Sequence, residues 1–61
     1  MRKLNSYMRE NNLTLAKFAK KIGSTAATVQ RWTSGNARPS IRLAIAVERE
    51  TKGAVSVYDW K

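Results

Sequence analysis

Residues that end helices punctuate this chain at short intervals: Asn11 with Asn12, then Gly23, Gly35, Pro39 and Gly53. Between these stops the apolar residues recur with the spacing of an amphipathic helix, so the sequence predicts a set of short helices packed on one another. The first segment runs from about Lys3 to Asn11 and places Leu4, Tyr7 and Met8 on one face. Asn11 and Asn12 tolerate the left-handed backbone that closes a helix. Thr14 is the predicted N-cap of the second segment, whose Leu15, Phe18, Ala19 and Ile22 share a face, with Lys17, Lys20 and Lys21 opposite and Gly23 as the stop.

The third segment, Thr25 to about Thr33, is the informative one. Ser24 is predicted to cap it. At about 100° per residue, Thr25, Val29 and Trp32 gather on an inner side, while Ala27, Gln30, Arg31 and Ser34 form the opposite stripe. Gly35 closes the segment, and Pro39 disfavours helix at Arg38. Ser40 then caps a fourth helix, "IRLAIAVERET", ending near Gly53. Its apolar residues occupy more than one stripe, with Ile41, Ala44 and Ile45 on one face and Leu43 and Val47 on another, which suggests both a core and a second contact. In the tail, Val55 and Val57 alternate with Ser56 as in a strand, but Ser56 followed by Asp59 is the pattern of a capping box, and a helical turn is the preferred reading.

With 61 residues there is room for one domain, expected to span residues 1–61. A chain of this length buries only about 60% of its unfolded surface, so its stability is marginal and a partner or a second copy is a natural support. It has no Cys and no His, which excludes a disulfide framework and the usual zinc sites. The longest apolar run, Leu43 to Val47, is far short of the roughly twenty residues of a membrane span. The basic start lacks the apolar stretch of a secretory signal, and a cytoplasmic location is expected.

The net charge of +8 lies wholly in the first two thirds of the chain. Residues 1–42 hold nine Lys/Arg against the single acid Glu10, whereas residues 43–61 hold three charges of each sign. Such asymmetry points to one surface that meets a polyanion and a remainder with another task.

Segments two and three, joined at Gly23, have the helix-turn-helix layout, here about residues 14–34. In that layout the second helix enters the DNA major groove. The stretch "TLAKFAKKIGSTAATVQRWTSG" resembles the helix-turn-helix of the Cro and phage-repressor family. Ala19 matches the small residue where the two helices touch, Gly23 the turn glycine, and Val29 and Trp32 the two core positions of the recognition helix. The continuation "RWTSGNARPS" is similar to the family's following loop. The resemblance covers about residues 4–51, and "TKGAVSVYDW" is similar to the tails of small YdaS-type relatives. It implies an all-α, lambda-repressor-like domain of four helices and a short fifth turn, acting as a transcriptional repressor on a palindromic double-stranded operator.

The resemblance also implies roles. Thr25, Ala26, Ala27, Gln30 and Arg31 occupy positions that in relatives approach bases. Chemistry agrees for the long side chains: Gln pairs bidentately with adenine, Arg with guanine, and an alanine methyl can meet the thymine methyl. Phosphate contacts are expected from Thr14 and Lys17 at the positive end of the second helix, from Ser24 and Thr28, and from Ser34, Asn36, Arg38 and Arg42 beyond the recognition helix. A homodimer, formed either in solution or only on DNA, is expected to use the neutral tail region (54–61) and fourth helix, with Leu43, Val47, Val57 and Trp60 as candidates.

Plainer readings stand beside these. Ala26 and Ala27 are good helix formers, Lys20 and Lys21 read better as a solvated face, and Thr14 and Ser24 are caps in any account. Trp32 reads as core because it shares a side with Val29, while Trp60 either folds back or meets a second subunit. No catalytic constellation is present: Glu48 and Glu50 diverge on a helix, and no glycine loop cradles phosphate. No metal, cofactor, small-molecule substrate or membrane partner is implied. The alternative function is an antitoxin-like protein-binding module with secondary DNA binding, using the neutral half; RNA binding ranks lower because the aromatics read as internal.

Overall fold

The computed structural model describes residues 2–60. Among these residues there are four α-helices, α1 (Arg2–Glu10), α2 (Leu15–Ile22), α3 (Ala26–Ser34) and α4 (Ile41–Glu50), followed by a 3-10 turn, Val57–Asp59, and no strand. The domain is all-α, as the spacing of stops and apolar residues predicts. None of the helices is long and apolar enough to cross a membrane.

Local chemistry explains most boundaries. Asn12 takes a left-handed backbone with φ 53° just past α1. Thr14 caps α2 by accepting the Lys17 N–H through its hydroxyl at 3.1 Å. Gly23 ends α2 with φ 76°, a conformation that costs an L residue about 1–2 kcal/mol. Ser40 caps α4 through the Leu43 N–H at 3.4 Å. The tail forms the helical turn rather than a strand. Asp59 Oδ2 accepts the Ser56 N–H at 2.7 Å and the Ser56 side chain accepts the Asp59 N–H, which makes a capping box, and Ser56 Oγ also accepts the Tyr58 N–H at 2.9 Å.

One cap differs from the sequence expectation. Thr25, not Ser24, caps α3: its hydroxyl accepts the Thr28 N–H at 3.3 Å, and the helix begins at Ala26. The Ser24 N–H is already committed, donating at 2.8 Å to the Ala19 carbonyl to close α2. Shared use of the turn by two helix ends explains the shift. Ser24 makes the closing bond of α2 and Thr25 makes the first cap of α3. Thr25 is accordingly exposed rather than on the inner side with Val29 and Trp32.

The core takes one or more side chains from every helix and the tail. Leu4, Phe18, Val29, Trp32, Val47 and Val55 are fully enclosed. Helix α2 is central and packs on α3 and α4, α1 rests on α3, and the tail turn rests on α4. Tyr7 is half-buried, edge-on to Phe18 with centroids 6.3 Å apart, and donates its hydroxyl to the Glu50 carbonyl at 3.4 Å. Thr51 is the one buried polar residue of the described core, and its hydroxyl both donates to the Val47 carbonyl (2.8 Å) and accepts the Val55 N–H (3.1 Å). That hydroxyl turns the chain from α4 into the tail without leaving a buried group unpaired.

On α4 the structure divides the first of the two expected apolar faces, burying Ala44 with Val47 and leaving Ile41 and Ile45 outside. Ala44 and Val47 are buried, with Leu43 and Ala46 packed partly against the core, whereas Ile41 and Ile45 are 69% and 41% exposed. From the capping geometry we expect Thr25→Ala to lower unfolding stability by about 1 kcal/mol. Ser24→Ala should change it by less than about 0.5 kcal/mol, because its backbone rather than its hydroxyl makes the bond. Urea unfolding followed by circular dichroism measures both.

Candidate nucleic-acid interface

The surface of interest is the outer side of α3. Val29 and Trp32 lie on the inner side, 0% and 2% exposed, and fix which way the helix faces. The rotation this imposes leaves Ala27, Gln30, Arg31 and Ser34 exposed on the other side, while Ala26 is half-buried. The small residues at the start of α3 keep its N-terminal half slim. Gln30 and Arg31 supply the reach.

Neither long side chain is engaged elsewhere. Among the described residues the Gln30 amide and the Arg31 guanidinium make no hydrogen bond or ion pair, whereas the neighbouring hydroxyls turn inward. Thr33 donates to the Gln30 carbonyl at 2.9 Å and Ser34 to the Arg31 carbonyl at 3.2 Å. Thr25 and Thr28 bond one another through their hydroxyls at 2.9 Å, which ties Thr28 to the cap. The two groups best able to read hydrogen-bonding edges are thus the two left available.

Around this stripe stand the remaining predicted contacts. Thr14 and Lys17 are exposed at the N-terminus of α2, where the first-turn N–H groups and helix dipole favour an anion. Ser24 is half-buried in the turn. Ser34, Asn36 and Arg38 are exposed at the end of α3 and in the following loop, and Arg42 is exposed in the first turn of α4. Gly35, with φ 83°, lets that loop leave the helix sharply, and the Asn36 and Ala37 N–H groups both return to the Arg31 carbonyl, at 2.9 and 3.2 Å.

Charge is sorted by the fold as well as by the sequence. Asp59 pairs with Lys3 at 2.9 Å, Glu50 with Lys21 at 3.7 Å, and Glu48 accepts the Val57 N–H at 2.9 Å. Three of the four acids are therefore occupied around α4 and the tail. Arg31, Arg38, Arg42 and Lys17 have no acidic partner among the described residues. Lys21, by contrast, belongs partly to the scaffold, in keeping with its reading as a solvated face.

The four apolar candidates for a second contact separate. Val47 is wholly enclosed in the core and has no surface to offer. Leu43 and Val57 are half-buried, and Trp60 folds back edge-on to Trp32, with centroids 5.7 Å apart and planes at 70°. Lys61, the end of the tail, lies outside the described residues. Sequence reasoning passed over Tyr58, which is 83% exposed and is, with Ile41 and Ile45, among the large apolar side chains on the surface. Its position within the 3-10 turn, opposite the half-buried Val57, was the available signal.

Comparison with known proteins matches one family model, described as helix-turn-helix, over residues 4–54. The match takes in α1 through α4 and the start of the tail. No curated protein and no solved structure matches the chain.

Proposed function

The chain belongs to the helix-turn-helix family of DNA-binding domains, and we propose that within it this protein is a sequence-specific transcriptional repressor of Cro type. The observation that carries the reading is the outer side of α3, where Gln30 and Arg31 stand exposed and unengaged because Val29 and Trp32 are buried opposite them. In this reading α3 lies in the major groove, Gln30 and Arg31 read base edges, and Ala26 and Ala27 admit the helix to the groove floor, with Thr25 at its N-terminal end. Thr14, Lys17, Ser24 and Thr28 grip the backbone on one side of the groove, and Ser34, Asn36, Arg38 and Arg42 on the other. Repression follows from occupancy, which excludes polymerase from an overlapping promoter in a bacterial or phage genome.

The protein acts as a pair. Its Cα envelope measures 24 × 22 × 20 Å, less in every direction than the roughly 34 Å between half-sites one helical turn apart. A single copy therefore spans one half-site, and a palindrome needs two. Leu43 and Val57 contribute to the contact between copies, joined by the exposed Ile41 and Tyr58, and the enclosed Val47 takes no part in it.

Two substitutions separate reading from gripping. Arg31→Ala is expected to lose about 1–3 kcal/mol on the preferred duplex and to relax preference at one base pair per half-site. Equal weakening on every duplex would remove Arg31 from the base-reading set. Arg38→Ala is expected to weaken all duplexes alike and lower the slope of log affinity against log salt by about one. Fluorescence anisotropy over a salt series measures both, and an unchanged slope would remove Arg38 from the phosphate set.

A further inference from the structure

The turn that follows α4 is fastened at several points. Val55 is fully buried and its N–H is held by Thr51; the Val57 N–H is held by Glu48; the Ser56–Asp59 capping box sets the turn; and Asp59 is tied to Lys3 on α1. All of this fixes the position of Trp60. That residue touches a side chain of the recognition helix, meeting Trp32 edge-on at 5.7 Å. It also lines two clefts that flank Arg38, one with Gly35 and Ala37 and the other with Pro39 and Ile41.

Helix α3 has reason to need such support. Its inner anchors, Val29 and Trp32, are three residues apart, about 4.5 Å along the axis, and anchors so close constrain tilt poorly. Reading base edges requires placement to within about 0.5 Å and 10–20°. Trp60 presses on the C-terminal anchor and on the loop that follows it. Its indole N–H is buried with no hydrogen-bond partner among the described residues, and within them the ring serves by its packing.

We propose that the C-terminal turn is a brace for the recognition helix, and that Trp60 is a positioning residue that sets base discrimination by fixing Trp32. The proposal rests on the DNA-reading function above. It assigns Trp60 no contact with DNA.

The test uses the full chain and two duplexes of equal length, one enriched by the wild-type protein from a random pool and one scrambled. Affinities are measured at fixed salt and at a temperature where circular dichroism shows each variant folded. Trp60→Ala is expected to lower the ratio of the two affinities by about fivefold or more, the low end of one misaligned base contact, with the scrambled duplex changed by less than about twofold. Trp60→Phe keeps a smaller aromatic ring against Trp32 and removes the indole N–H, so it is expected to retain most of the ratio. Lys3→Ala, which frees the turn without deleting the ring, is expected to shift the ratio the same way by a smaller factor and remains informative where Trp60→Ala fails to fold.

A folded Trp60→Ala with the wild-type ratio would overturn the proposal. So would a Lys3→Ala ratio equal to wild type where only that variant can be measured, or a Trp60→Phe loss as large as that of alanine, since a ring packed on Trp32 would then not be what sets the ratio. Enrichment of no sequence by the wild-type protein would instead remove the DNA-reading premise.

Discussion

Burial of Trp32 and Val29 against α2 and the rest of the core determines the rotation of α3, and the candidate interface depends on that rotation. Turning the helix by one residue, about 100°, would bring Arg31 toward the core and send an apolar side chain out to solvent. Both changes are costly: an unpaired buried guanidinium and an exposed indole oppose the same motion. The outer stripe is thus specified by residues that never touch a ligand. Ala27, Gln30 and Arg31 are free to serve recognition because the core is satisfied without them.

The second organising feature is the use of acids. With twelve basic residues and four acids, a small domain repels itself, and the fold places its few carboxylates where they fasten α4 and the tail. Lys3 and Lys21 are drawn into that scaffold, and exposed ion pairs of this kind add little stability individually. Their greater effect is on the map of charge. The cations left without partners include those of α3 and its flanking loop, so stability and polyanion attraction occupy different parts of one short chain.

Helix positions and the exposed stripe of α3 were legible in the sequence because each rests on local chemistry: capping hydroxyls at Thr14 and Ser40, left-handed stops at Gly23 and Gly35, and a 3.6-residue period. The Ser56–Asp59 box was legible for the same reason. Three features were not, and all are tertiary. Ser24 and Thr25 are equally good caps taken alone, and only the bond from the Ser24 N–H back to Ala19 decides between them. Along α4 both faces are apolar, so periodicity could not tell that Val47 turns in and Ile41 out. That outcome depends on where α2 and the tail come to lie. The destination of Trp60 was open in the sequence for the same reason, since a residue one place from the end has no local partner to reveal it.

The central claim is that the outer face of α3 reads base pairs and that two copies are needed to read a complete site. Selection of bound duplexes from a random pool, followed by sequencing, tests it most directly. The account predicts an enriched two-fold symmetric sequence, each half only a few base pairs long, with half-site centres about one helical turn apart. Enrichment of no sequence, with binding that depends on salt alone, would contradict it.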